Sequence, residues 1–381
     1  GIQHSDFKYG ILQLQPANYV DSLRAFRRLA DERNLEIIPG VAPIGYSSAI
    51  TYTDPHLAEG VPTTADYVLE SDTGRLLSDP RVALPNGTFE SVSNRQFTGW
   101  NFYDGPNVSI FADSTVSHGG RISARCENFV QGNAAGNARF NRLVSCAPFR
   151  HYVLTAWIRT QNFSGDNVQL LAMGQDSGGA YRTLTFTAYS IPRTSNGWLR
   201  VEASFNTLQY RKVLLYAGVW GGSAGTIWWD DIAIQDGGLS NVLRRAGTPL
   251  SVRNKRNAAL CLEGADFATV RDAIMEANRG NYGPFHGAPS FRRLATGSLR
   301  NGDTVSITSY HPLATVSGTD GNGSVMVCVS EDTLYRILGE QISRVNAAYA
   351  PSRFFLEHDE IRNMNWDDAC AKRALSPAAL L

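Results

Sequence analysis

The chain has 381 residues, with 35 Lys and Arg against 35 Asp and Glu, a formal net charge of zero, 43% hydrophobic residues and 18% charged ones. That balance belongs to a globular protein long enough for two or three domains. It excludes a basic, phosphate-gripping nucleic-acid surface, and no apolar run of about 18 residues offers a membrane span.

The opening GIQHSDFKYG carries no secretory leader pattern and reads as a mature or trimmed start. From Tyr19 to Asn34 the spacing of Val20, Leu23, Phe26 and Leu29 predicts a helix. Leu35–Val41 then reads as a short strand ending in Pro and Gly, and Ala42–Ile50 as a loop leaving it. A helix followed by such a strand is the αβ step of a parallel sheet. From Leu84 to Gln235 the rhythm changes to short alternating runs separated by Asn, Gly and Ser turns. Strands are expected at 120–126, 140–146, 151–159, 168–175, 182–189, 199–205, 212–219 and 226–234, the pattern of a β-sandwich. Beyond Gly238, Phe267–Asn278 and Glu331–Tyr349 read as helices, and Thr304–Tyr310, Ser324–Val329 and Ser352–His358 as strands. Asp367 and Asp368 read as the start of a turn or helix.

The expected partition is an α/β domain split around an inserted sandwich: 1–83 as the first part of a (β/α)8-type barrel, 84–237 as a jelly-roll sandwich, and 238–381 as the second part. The flanks supply too few βα units for a whole barrel. A missing C-terminal segment or a second chain is therefore expected to complete it, the alternative being that the flanks form no barrel at all. Cys126, Cys146, Cys261, Cys328 and Cys370 are odd in number and widely spaced, which argues against a dense disulfide framework and a zinc cluster. Cys126 and Cys146 either pair or remain two buried thiols.

Asn86-Gly-Thr-Phe-Glu90, Gly99-Trp100 and Thr226-Ile-Trp-Trp-Asp-Asp-Ile-Ala-Ile234 resemble the ends of galactose-binding-like sandwiches found among carbohydrate-binding modules. The resemblance implies a structural calcium ion held by Glu90 and Asp231, a hard cation on oxygen ligands. Sugar binding wants flat aromatic faces with polar neighbours, for which Trp157, Tyr181 and Trp220 are the candidates.

The densest polar cluster follows an apolar run, in Phe354-Phe-Leu-Glu-His-Asp-Glu-Ile-Arg-Asn-Met-Asn-Trp366. In a β/α-barrel, catalytic groups collect at strand ends of this kind. The stretch resembles glycoside hydrolases of the β-hexosaminidase-like superfamily, and secreted bacterial barrel proteins with an HDE-I-R-x-x-N element. That resemblance implies Glu360 as general acid/base and Asp359 as its partner, with His358 tuning Glu360. Leu356, Glu357 and His358 stand where the hexosaminidase pattern has glycines. Arg362, Asn365, Trp366, Tyr310, His311 and Tyr46 are the accompanying substrate-binding candidates. The functional expectation is a secreted or cell-surface glycoside hydrolase that needs no catalytic cofactor and acts on a polysaccharide or glycan. The alternatives are a non-catalytic carbohydrate-binding or cell-surface protein, and a lyase or metal-dependent hydrolase.

Overall fold

The computed structural model describes residues 2–4, 17–42, 44–45, 47–102, 104–278, 282, 289–313, 316–317, 325–358, 361 and 364–380. The first unit is α/β. Strand β1 (Ile2–His4), helix α1 (Ala17–Asp31) and strand β2 (Ile37–Val41) lead into the short helix α2 (Ser48–Thr53). β1 and β2 pair in parallel. α1 lays Leu23 and Ala30 against Ile37, Val41 and the far end of a later helix.

Strands β3 (Gly60–Glu70) and β4 (Thr73–Leu77) then form a hairpin. In β3, Thr63, Ala65, Tyr67 and Leu69 are buried while Thr64, Asp66 and Val68 are half-buried, the alternation of a strand with one core face.

Next come the short strands β5 (Val92–Ser93), β6 (Gln96–Phe97) and β7 (Asn101–Phe102), then β8 (Ile110–Asp113), β9 (Ser123–Cys126) and helix α3 (Phe129–Gly132). The long strands β10 (Ala138–Ser145), β11 (His151–Ser164), β12 (Asn167–Gln175), β13 (Tyr181–Tyr189), β14 (Leu199–Asn206), β15 (Lys212–Trp220) and β16 (Ala224–Asp236) follow. After these stand β17 (Ser251–Asn254), β18 (Leu260–Cys261), α4 (Ala273–Asn278), β19 (Thr304–Pro312), β20 (Val316–Ser317), α5 (Asp332–Tyr349), β21 (Phe355–Leu356), α6 (Asp368–Ala371) and α7 (Pro377–Leu380).

Two sheets make the sandwich: six strands in the order β20-β13-β12-β15-β10-β7, and five in the order β14-β11-β16-β9-β8. They share one core, to which the first contributes Phe140, Leu170 and Val213 and the second Tyr152, Leu154 and Trp229. The eight strands expected from alternation are all present.

The barrel expectation is overturned. The flanks build a five-stranded sheet, β18-β17-β19-β3-β4, whose order is open and whose pairings are all antiparallel. A (β/α)8 barrel is a closed ring of parallel strands. Parallel pairing of β2 is limited to β1 on one side and β21 on the other. The misreading has a physical source. An isolated αβ step looks the same whether the sheet closes or stops, and strand direction is set by partners far away in sequence. Other boundaries shrink too. Helix is confined to Ala273–Asn278 within 267–278, strand to Phe355–Leu356 within 352–358, and segment 325–329 makes only an isolated bridge, Ala58 with Val327.

The two ends of the sandwich segment meet at one polar knot. Asp79 N–H donates to Asp236 Oδ2 at 2.6 Å, and Tyr152 O–H to Asp79 Oδ2 at 2.8 Å. Arg150 pairs with Asp236 and donates to Leu77 O at 2.8 Å. α5 carries Leu334, Ile337, Leu338, Gln341, Val345 and Tyr349 on its buried side, the spacing of an amphipathic helix.

Candidate functional site

Residues opposite one another in an antiparallel sheet face the same side. The register therefore fixes the outer face of the six-stranded sheet. Leu171, Tyr216, Asn141 and Asn101 stand in one row across β12, β15, β10 and β7. The next row is Met173, Leu214 and Leu143. Leu171, Met173 and Tyr216 are half-buried, and Asn101 is exposed. Asn141 is 0% exposed. Its Oδ1 accepts from Asn101 Nδ2 at 3.5 Å, while its own Nδ2 has no hydrogen-bond partner. A buried amide donor left unmade costs about 1–3 kcal/mol; Arg125 Nε and Trp229 Nε1 in the other sheet are unmet as well.

Two sequence candidates lie on this face at opposite ends, about 26 Å apart at ~3.3 Å per residue. Trp220 lies opposite Asn167, under the guanidinium of Arg139 at 5.6 Å from the ring centroid. Tyr181 lies opposite Gln175 and accepts from its Nε2 at 2.8 Å.

Trp157 is on the other sheet. Its ring stacks on His118 at 4.1 Å, and Trp198 closes on the same imidazole at 5.6 Å. His118 Nδ1 lies 2.6 Å from Asp231 Oδ2. Trp228 Nε1 donates to Asp113 at 2.8 Å. The residues expected to hold calcium surround the turn at 118–122. Glu90 Oε1 accepts from Arg121 and Ile122 N–H at 2.7 and 2.9 Å, and these donors hold its carboxyl below the usual range. Asp230 takes three backbone donors, yet burial pushes it up to about 6. Gly119 and Gly120 are required here: a side chain at Gly119 would sit 2.6 Å from Asp231 Oδ2, and Gly120 has φ +59. Among the described residues, the donor group that converges tightly enough for a metal lies outside the sandwich.

The proposed catalytic stretch is only partly within the described residues. Asp359, Glu360, Arg362 and Tyr46 lie outside them. His358 is exposed, and the strand before it is two residues long with Phe355 and Leu356 exposed. Asn365 and Trp366 do come together, in a cleft of about 530 Å³ shared with Arg182, Ile361, Met364, Pro377 and Ala378. Trp366 also packs its ring against Phe149 at 5.9 Å, and Asn365 Nδ2 donates to Leu375 O at 3.0 Å. Tyr310 and His311 serve elsewhere. Tyr310 O–H donates to Asp368 Oδ1 at 2.7 Å. His311 is buried where the sandwich meets the flank sheet. It accepts from Asn206 Nδ2 at 3.0 Å, and burial holds its imidazole down at about 4.

Sequence reading missed a buried cluster beside Tyr310. Glu59, Cys328, Asp367 and Cys370 are all buried, and their ligand atoms lie within 4.8 Å of one another. This group can hold a metal ion. Glu59 precedes β3. Asp367 caps α6, accepting Cys370 N–H at 3.0 Å. Arg245 binds Asp367 at 2.6 Å and Glu331 at 2.8 Å. Burial, then the nearby Asp367 and Cys370, push the Glu59 carboxyl up to about 9. A Cys328 thiol beside Cys370 draws Cys370 down to about 6, while Cys328 is itself pushed up. The only local signal was the Asp-x-x-Cys of 367–370. Cys126 and Cys146 are both buried free thiols.

No family profile and no curated protein matches the chain. Among solved structures, the chain is similar to the enzymatically active domain of bacteriophage CBA120 tailspike protein 4 at 15% identity, with a TM-score of 0.33, over 41% of this chain and 21% of that one. The carbohydrate-binding module TmCBM61, solved with β-1,4-galactotriose, shares 15% identity over 40% of this chain and 97% of its own, with a TM-score of 0.28. The CBM22-1 xylan-binding domain of Xyn10C from Paenibacillus barcinonensis shares 12% over 47% and 99%, with a TM-score of 0.30. No β-hexosaminidase-like relative appears among these. The glycosidase barrel implied by the HDE-I-R element is thus left without a matching family as well as without a barrel.

Proposed function

We propose that the chain is a non-catalytic carbohydrate-binding protein, acting outside the cell or at its surface, whose glycan seat is the outer face of the six-stranded sheet. The observation that carries this reading is Asn141. Its buried Nδ2 lacks an acceptor and stands in the same row as the half-buried Tyr216 ring and Leu171. A pyranose offers hydroxyl oxygens of the kind the amide lacks and an apolar C–H face suited to a half-buried ring. Asn101 and Gln169 supply further amides on the same face.

Calorimetric titration of the whole chain against a panel of soluble polysaccharides tests this. At least one glycan is expected to bind. Tyr216→Ala and Asn141→Ala are each expected to weaken it at least ten-fold, about 1.4 kcal/mol, without changing the circular dichroism spectrum. Binding that both variants leave intact would place the seat elsewhere. Binding accompanied by release of new reducing ends would make the chain an enzyme.

A further inference from the structure

We propose that Glu59, Cys328, Asp367 and Cys370 form a closed, tetrahedral zinc site that clasps three distant chain segments. The ligand types fit a borderline-soft divalent cation, since two sulfurs and two carboxylate oxygens are a zinc set and not a calcium or magnesium set. The spacing fits as well. Cys328 Sγ lies 3.4 Å from Cys370 Sγ and 3.6 Å from Asp367 Oδ1, and Cys370 Sγ lies 3.5 Å from Glu59 Oε2. Zn–S bonds of about 2.3 Å and Zn–O bonds of about 2.1 Å in tetrahedral array give ligand–ligand edges of about 3.5–3.8 Å. Three of the six edges are thus close to the right length with no ion present, and all lie below 4.8 Å.

Burial and the supply of cations point the same way. The four groups are 0–2% exposed. Among the described residues, the guanidinium that reaches them, Arg245, is shared between Asp367 and Glu331. Among the described residues, Glu59 forms no ion pair. Its Oε1 accepts from Trp366 N–H at 2.8 Å and Asp367 N–H at 3.4 Å, and its Oε2 lies 3.5 Å from the Cys370 sulfur. Two carboxyl groups and two thiols gathered this closely, with one shared guanidinium, form a set whose acidic protons a divalent cation can replace. On binding, the acidic protons held by Glu59, Cys328 and Cys370 leave to solvent, and the two sulfurs coordinate as thiolates. Four protein ligands leave no open position, so the ion is structural. It would fasten the start of β3, the 325–330 segment and the first turn of α6 to one another.

The test is metal analysis of the full chain purified without chelator, with zinc and calcium both measured. About one zinc per chain is expected. Removal by a chelator should lower the melting temperature, and zinc should restore it. Cobalt substitution should give the thiolate charge-transfer and visible d–d bands of tetrahedral Co²⁺. Cys370→Ser should roughly halve the charge-transfer intensity, leaving that of the Cys328 thiolate, and Glu59→Gln should weaken zinc at least ten-fold. The cobalt spectrum of the wild-type chain decides the matter even where a variant fails to fold. Two results would overturn the site. One is an intact mass short by two hydrogens and restored by reductant, which makes Cys328–Cys370 a disulfide. The other is a reduced chain that takes up neither zinc nor cobalt.

Discussion

The two outer faces of the sandwich are built from similar residues and differ in how those residues are used. On the five-stranded face, Trp157 is stacked on His118, His118 is held by Asp231, and Trp228 donates to Asp113. Each aromatic there has its partner within the protein. On the six-stranded face, Tyr216 and Leu171 flank an amide whose donor is unmet. An aromatic residue in a β-sandwich is therefore not in itself a ligand platform. The five-stranded face has an unmet atom too, Arg125 Nε opposite Trp228, but it belongs to a guanidinium paired with Asp113 and Glu127, whereas the unmet group of the six-stranded face is a neutral amide.

The strongest way to break this contrast is Trp157→Ala. It should cost about 2 kcal/mol of stability by emptying the stack, and leave glycan affinity unchanged. Denaturant midpoints and calorimetry read the two quantities separately, and a ten-fold loss of affinity would mean that both faces bind. Asn141→Leu should act in the opposite sense. It removes a buried unmet donor, so stability should rise by about 1 kcal/mol while glycan binding is lost. A fall in stability would show that the amide is satisfied within the protein and that the faces are alike. The smallest effect concerns Asp230, beside Trp157 in the register. Burial raises its folded pKa to about 6 from 3.8. Its protonated form is favoured by folding, so its contribution is fully present below pH ~4 and is lost as pH rises through ~6. The melting temperature of Asp230→Asn minus that of the wild type should thus increase from pH 4 to pH 7. A flat difference would mean that the backbone donors outweigh burial.

Much of the sandwich is legible in the sequence, because a strand with one buried face writes its period into a single segment. Tyr152, Leu154, Ala156 and Ile158 face inward in β11, and Trp157 does not. Helices α1 and α5 are legible for the same reason at helical spacing. The flank sheet is not. Thr64 and Thr308, hydrogen-bonded at 2.9 Å, are 244 residues apart, and nothing local tells β3 that its partner runs antiparallel. The HDE stretch misled because an apolar run before polar residues looks like a buried strand end, whereas Phe355 and Leu356 are exposed. The acid–thiol cluster was hidden because Glu59, Cys328 and Asp367–Cys370 meet only after the flanks have folded together. Wide cysteine spacing therefore says little about metal binding when carboxylates from another segment complete the set.

The knot of Asp79, Arg150, Tyr152 and Asp236 has a kinetic meaning as well as a structural one. Joining β3 to β19 in an unfolded chain closes a loop of more than two hundred residues, and such non-local pairing is slow. Once the sandwich has formed, Asp79 and Asp236 are hydrogen-bonded neighbours, and the loop is shortened to the stretch from Glu70 to Asp79 on one side and from Asp236 to Thr304 on the other. The sandwich thus acts as a scaffold for its own flanks. The order of assembly expected from this loop closure runs from the middle of the chain outward, and pulse-labelled hydrogen exchange that protected β3 and β19 before the sandwich strands would contradict it.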